Sequence, residues 1–157
     1  MNGLTRPLTS LVDLNTPLDL HQYSVQGGYQ GARNALFEHT PAQVLEIVKQ
    51  SELKGRGGAG FPTGMKWSFV PQFEPSDSRS QENKYLVCNA DEMEPGTFKD
   101  RLLLEGIPHQ LIEAMIIAAY TIGANEAYIF LRGEYHLAAK RLQRAIDEAY
   151  QYGWLGQ

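Results

Sequence analysis

The 157-residue sequence holds a single cysteine, Cys88, and that scarcity excludes several protein classes at once. One thiol cannot close an internal disulfide, build a structural zinc site or hold an iron-sulfur cluster. Long apolar runs are also missing. The longest, Met115 to Tyr120, is far short of the roughly 20 residues that span a bilayer, and residues 1–30 show no continuous apolar stretch of the kind a targeting segment needs. No basic excess exists either: 14 Lys and Arg stand against 18 Asp and Glu, so no positive field favours nucleic acid or anionic lipid. The four histidines, His21, His39, His109 and His136, have no ligand spacing and predict no metal site. What is present is 43% apolar residues and 10% aromatics, enough to bury a core. A chain of this length and balance reads as one globular domain in a cytosol-like compartment.

The chain opens with turn residues and no sustained period over residues 1–27, which predicts an extended arm lying on another surface, a partner included. Tyr29 to Glu38 reads as a short helix. Thr40-Pro41-Ala42-Gln43 then supplies an N-cap, a first-turn proline and a capping-box Gln for a helix running to about Ser51. Residues 54–66 contain five Gly and one Pro in thirteen positions, a composition that predicts no regular element. Glu74 to Lys84 is polar and reads as a surface loop.

The second half alternates more regularly. Tyr85 to Asn89 and Ala127 to Leu131 read as short buried strands, with Cys88, Tyr128, Phe130 and Met115 assigned to core packing. Between them Pro108 to Ile122 is apolar around much of its circumference, as a crossover helix is, and Tyr135 to Tyr152 carries apolar residues at helical spacing. Strand, helix, strand, helix predicts an α/β fold: a Rossmann-like parallel sheet with flanking helices and a right-handed crossover, preceded by the arm and two short helices.

Two segments carry chemistry. Gly55-Arg56-Gly57-Gly58-Ala59-Gly60 has the letters of a dinucleotide fingerprint but follows a helix rather than a strand, and Phe61-Pro62 stands where a Walker A loop needs Lys and Ser or Thr. Both motifs are therefore excluded. The remaining reading is a loop whose N–H groups bind an anion, flanked by Arg56 and Lys66, with Phe61, Trp67 and Phe69 able to stack on flat rings. An ordinary surface loop is the alternative. The second segment, Asn89-Ala90-Asp91-Glu92-Met93-Glu94-Pro95-Gly96, falls at the carboxyl end of the first strand, where open parallel sheets bind ligands. Asn89 can pair with a heterocycle edge, while Asp91, Glu92 and Glu94 can accept ribose hydroxyls and repel a 2′-phosphate. Alternatively these carboxylates serve the N-terminus of the following helix through its dipole.

Gly55 to Trp67 and Cys88 to Arg101, together with Pro108-His109 and Phe130-Leu131-Arg132-Gly133-Glu134-Tyr135, closely resemble the flavoprotein (F) subunit of respiratory complex I, the NADH-quinone oxidoreductase. The resemblance runs from about Asp19 to Gly156. It implies FMN phosphate and ribityl contacts at Gly55, Arg56, Gly57 and Lys66, and flavin-ring contacts at Asn89 and Asp91. NADH contacts are implied at Gly58, Ala59, Phe61, Phe69, Glu92 and Glu94, with the two Phe flanking the adenine. Hydride transfer needs no protein acid or base, so no catalytic side chain is assigned. Residues 28–157 would be the N-terminal part of the FMN- and NADH-binding domain. The family's ubiquitin-like domain and four-Cys 4Fe-4S bundle have no counterpart in these residues. Implied partners are NADH, the 2Fe-2S thioredoxin-like subunit and the large iron-sulfur subunit, with a cytoplasmic location peripheral to the inner membrane and no membrane insertion. Flavoprotein subunits of NAD-linked hydrogenases and formate dehydrogenases share the Gly loop but tend to read Asp-Glu-Gly-Asp-Pro-Gly where this chain has Asp91-Glu92-Met93-Glu94-Pro95-Gly96. A non-catalytic nucleotide-binding or assembly role is the remaining alternative.

Overall fold

The computed structural model describes Arg6, residues 8–73 and residues 76–156. The polar run that precedes the first strand is mostly exposed where described, with a 3₁₀ turn at Ser78–Gln81.

Seven helices and two strands follow one another among the described residues: α1 (Leu20–Val25), α2 (Gln30–Glu38), α3 (Pro41–Gln50), α4 (Thr63–Ser68), β1 (Tyr85–Ala90), α5 (Lys99–Gly106), α6 (Pro108–Ile122), β2 (Glu126–Leu131) and α7 (His136–Gln151). β1 and β2 pair in a two-stranded sheet. Asn125 donates its N–H to the Lys84 carbonyl at 3.0 Å and Arg132 donates to Ala90 at 3.3 Å, so both strands advance in the same direction and the pairing is parallel, as expected. None of the helices is long and apolar enough to cross a membrane by itself.

Contacts divide the chain into two compact units, one drawn from Met1–Gln30, Asn89–Ala114 and Ile129–Gln157, the other from Gly31–Cys88 and Met115–Tyr128. In the first, α7 packs against α5 and α1. Its buried residues Ala138, Leu142, Ala145 and Ala149 fall at helical spacing, so they form one stripe. Ala138 and Leu142 meet Ala90 and Leu104, with Leu111, Ile129, Leu131 and Tyr135 packed around them. Burying each leucine contributes about 1.5–3 kcal/mol.

The same unit corrects the expectation of an extended arm. Asp19 accepts the Gln22 N–H at 2.8 Å and the Gln22 side chain accepts the Asp19 N–H at 3.0 Å, a capping box that starts α1 inside the stretch expected to be extended. The preceding residues lie on this chain's own helices: Asp13 donates to the Gly106 carbonyl, and the Arg141 guanidinium donates to the carbonyls of Leu14 and Glu105. A buried polar network completes the unit. His109 shares a hydrogen bond with the Tyr29 hydroxyl through Nδ1 and with the Glu148 carboxylate through Nε2, both at 3.0 Å, and Trp154 stacks on Tyr29.

In the second unit α3 starts as its sequence dictates, with Pro41 in the first turn, Thr40 accepting from the Gln43 N–H and the Gln43 side chain returning to the Thr40 N–H. A helix forms where none was expected, since α4 begins at Thr63 within the glycine-rich stretch. Its Gly64 explains how: a Cβ there would stand 2.7 Å from the Lys49 nitrogen, so only glycine lets α4 lie this close to α3. A second correction concerns the strands, which are not buried on both faces. Tyr85, Val87, Tyr128 and Phe130 are all more than half exposed, because no described element covers the face they occupy. Cys88 is half-buried.

Candidate cofactor site

The glycine loop is pinned at both ends by backbone pairing. Lys54 and Pro62 form an isolated antiparallel bridge, Gly55 donates its N–H to the Phe61 carbonyl at 2.9 Å, and Thr63 donates to Leu53 at 2.8 Å. Between these ties the chain bulges into solvent. Among the described residues the N–H groups of Arg56, Gly57, Gly58, Ala59 and Gly60 donate to no other group, and residues 56–59 are exposed. Gly58 at φ +119° and Gly60 at φ +63° occupy backbone conformations that favour glycine. Gly57 does not need such a conformation, and a Cβ there would meet nothing within 4 Å. No packing or conformational demand within the described structure explains a glycine at 57. Arg56 and Lys66 are exposed and form no ion pair among the described residues, so both cations are available to an anion. Five unpaired N–H donors, open space along the glycines and two free cations suit the phosphate end of a cofactor such as FMN.

Phe61 and Phe69 stand close together, with ring centroids 6.2 Å apart and planes inclined by 53°. A flat ring held between two others needs about 7–8 Å at ordinary contact distances. The pair therefore has to open by about 1 Å and turn parallel before it can flank an adenine. Trp67, the third aromatic of the stretch, is half-buried.

The acidic segment belongs to the first unit. Asn89, the penultimate residue of β1, accepts the Asp91 N–H on its side-chain oxygen at 3.1 Å, which leaves its amide NH₂ without a partner among the described residues. Glu94 is exposed; its carbonyl accepts the Thr97 N–H and hydroxyl in a turn that Gly96 closes at φ +82°. Asp91 is half-buried and makes no side-chain hydrogen bond among the described residues.

Glu92 behaves differently. It is only 6% exposed, and its carboxylate accepts the N–H groups of Asp100 at 3.0 Å and Arg101 at 3.2 Å, at the start of α5, and the Tyr135 hydroxyl at 3.1 Å. Burial pushes its pKa up, but the two amides, the Tyr135 hydroxyl and Lys99 at 3.8 Å outweigh it and hold the carboxyl below the ordinary value. For this residue the helix-terminus alternative is what the structure displays. Arg132 grips the same residue from the backbone side, its Nη1 donating to the Glu92 carbonyl at 2.6 Å. Sequence reading assigned no role to Arg132 or Tyr135, although the Arg-Gly-Glu-Tyr run that carries them formed part of the resemblance. Among the described residues no three His, Cys, Asp or Glu come together as a metal cluster.

A parallel β-α-β arrangement with a polar segment at the carboxyl end of β1 defines an α/β domain of the class that binds ligands at that end of its strands. Residues 48–154 match the Nuo51 FMN-binding domain of complex I proteins, and the chain belongs to that family. It is 56% identical over 137 residues to the second F subunit of NADH-quinone oxidoreductase in Rhizobium meliloti, covering 87% of this chain and 31% of the relative. It is 53% identical over 154 residues to the NADH-quinone oxidoreductase F subunit of Escherichia coli, covering 98% and 34%. An NAD⁺-reducing [NiFe]-hydrogenase structure in the air-oxidized state superposes with a TM-score of 0.66 at 36% identity, over 94% of this chain and 23% of the hydrogenase chain. The chain thus spans about a third of the length of the curated relatives it matches.

Proposed function

We propose that residues 28–157 are part of an FMN- and NADH-binding domain whose activity is oxidation of NADH. The chemistry that FMN supplies when bound is acceptance of a hydride and release of its electrons one at a time. This chain's own residues bind and place. The loop amides with Arg56 and Lys66 take the FMN phosphate and ribityl chain alongside Gly55 and Gly57, and Asn89 and Asp91 address the flavin ring. Gly58, Ala59, Phe61 and Phe69 serve NADH. Glu94 presents a free carboxylate to ribose hydroxyls, whereas Glu92, engaged by α5 and Tyr135, contributes its charge and holds the segment in place. The observation that carries the reading is the pinned loop of unpaired N–H groups, inside a stretch matched by an FMN-binding family.

By its similarity to the NADH-quinone oxidoreductase relatives, we place this domain in a complex I enzyme that passes electrons through iron-sulfur clusters to quinone, peripheral to the inner membrane and beside the 2Fe-2S and large iron-sulfur subunits. A hydrogenase context has its own support, since the chain is also 48% identical over 141 residues to the NADP-reducing hydrogenase subunit HndC of Solidesulfovibrio fructosivorans. Genes for membrane proton-pumping subunits beside this one favour complex I, and hydrogenase genes the second context. The direct test is FMN titration by flavin fluorescence, then NADH:ferricyanide activity with and without FMN. FMN binding with NADH oxidation supports the proposal; nucleotide binding with no NADH oxidation, with or without added FMN, favours the non-catalytic nucleotide-binding or assembly role.

A further inference from the structure

We infer that Arg132 and Tyr135 are positioning residues for the Asn89–Glu94 segment: from the turn between β2 and α7 they fix where the Asn89 amide and the carboxylates of Asp91 and Glu94 stand. The inference rests on the flavin and NADH reading above. The ladder between the strands ends where Arg132 donates its N–H to the Ala90 carbonyl. Beyond that point the segment has no strand partner among the described residues, and Glu92 is where it is held. The Arg132 guanidinium takes the Glu92 carbonyl at 2.6 Å, and the Tyr135 hydroxyl takes the Glu92 carboxylate at 3.1 Å. A guanidinium-to-carbonyl bond is charge-assisted and about twice as strong as a neutral one.

Capping α5 does not require either contact, because the N–H groups of Asp100 and Arg101 already reach the carboxylate. What Arg132 and Tyr135 add is the position of the segment relative to the β2–α7 turn. They are themselves held: Arg132 Nε donates to Glu134 at 3.1 Å, and the guanidinium carbons of Arg101 and Arg132 lie 5.7 and 5.8 Å from the Tyr135 ring centre. The neighbours Asp91 and Glu94 make no side-chain hydrogen bond among the described residues, so where they stand follows the backbone that Glu92 fixes. A displacement of about 1 Å is enough to degrade binding by groups that must converge on a ligand.

The experiment uses the 157-residue chain with Arg132→Met, Arg132→Lys and Tyr135→Phe, and Leu20→Val, a buried position of α1 outside the Ala90–Leu142 cluster, as a control. Hydrogen exchange of amides 89–98 and affinity for FMN and NADH are both measured well below the melting temperature. Arg132→Met and Tyr135→Phe are expected to speed exchange in 89–98 by about tenfold and to weaken binding by a similar factor. Arg132→Lys, which keeps one charged donor, recovers part of both. Leu20→Val lowers the melting temperature and changes neither. Unchanged exchange, faster exchange with full affinity, or affinity loss in Leu20→Val equal to that of the other variants overturns the inference. A wild-type chain that binds neither FMN nor NADH, with exchange responding as expected, overturns the functional reading and the positioning role with it.

Discussion

Replacing Gly57 by alanine separates what the fold needs from what a ligand needs. The added Cβ meets nothing within 4 Å, and the residue does not occupy the left-handed region, so the folded chain accommodates the methyl without strain. Removing a glycine's freedom from the unfolded state then stabilises by about 0.4–1 kcal/mol. A cofactor phosphate lying against the loop backbone meets the methyl directly, and overpacking of a close contact costs about 1–3 kcal/mol. Since 1.4 kcal/mol is about tenfold, FMN affinity should fall by about 5- to 150-fold while the melting temperature holds or rises. Flavin-fluorescence titration beside thermal melts reads both quantities on one preparation. Gly58 and Gly60 do not offer this separation, because their positive φ angles strain any alanine variant. An alanine at 57 that binds FMN as tightly as glycine would show that the open space beside residue 57 is not the ligand's, and the loop would lose its assignment.

Lys66→Ala should weaken FMN binding by about 1–3 kcal/mol at low salt, and the difference from wild type should shrink as salt shortens the reach of the charge; a deficit equal at both salt concentrations argues against a phosphate contact. Glu94→Gln should narrow the preference for NADH over NADPH, because a carboxylate about 4 Å from a phosphate charge costs about 1–4 kcal/mol depending on the surroundings; an unchanged ratio of the two affinities removes Glu94 from specificity. Burial lowers the His109 pKa despite the opposing pull of Glu148, so the unfolded chain binds the proton more readily than the folded one. Stability should therefore fall as pH drops below about 6.5, and thermal melts from about pH 8 to 5 should show that slope flattened in His109→Asn; parallel profiles refute the assignment.

The elements that sequence made legible are those with local causes. α3 is specified by Thr40, Pro41 and Gln43 acting within one turn, and α7 by an apolar stripe that needs only its own spacing. α1 was equally local, since Asp19 and Gln22 form a capping box, but glycine and proline in the surrounding stretch obscured it. α4 had no such local signal. Its existence depends on Gly64 lying against the Lys49 backbone, a tertiary contact that turns a helix-breaking residue into the one that permits the packing. The strands were legible as strands but not in their exposure: an apolar run specifies extended chain that favours burial, and what covers it depends on other elements.

The acidic segment shows the same limit at the level of single side chains. Asp91, Glu92 and Glu94 are interchangeable as acceptors in sequence, and pattern alone offers two uses for them, ligand binding and service to a helix N-terminus. The structure gives two residues two positions apart different surroundings. Glu92 is turned inward to two α5 amides and a tyrosine hydroxyl, while Glu94 is exposed with its carboxylate unengaged among the described residues. The inward residue keeps its negative charge, because the same donors that bury it also lower its pKa. Its field still acts on any ligand nearby, attenuated by the donors around it. Neutralising Glu92 therefore disturbs helix, segment and field together, whereas neutralising Glu94 changes the field while leaving its backbone turn with Thr97 in place. That asymmetry makes Glu94 the position at which cofactor specificity can be tested without unmaking the fold that presents it.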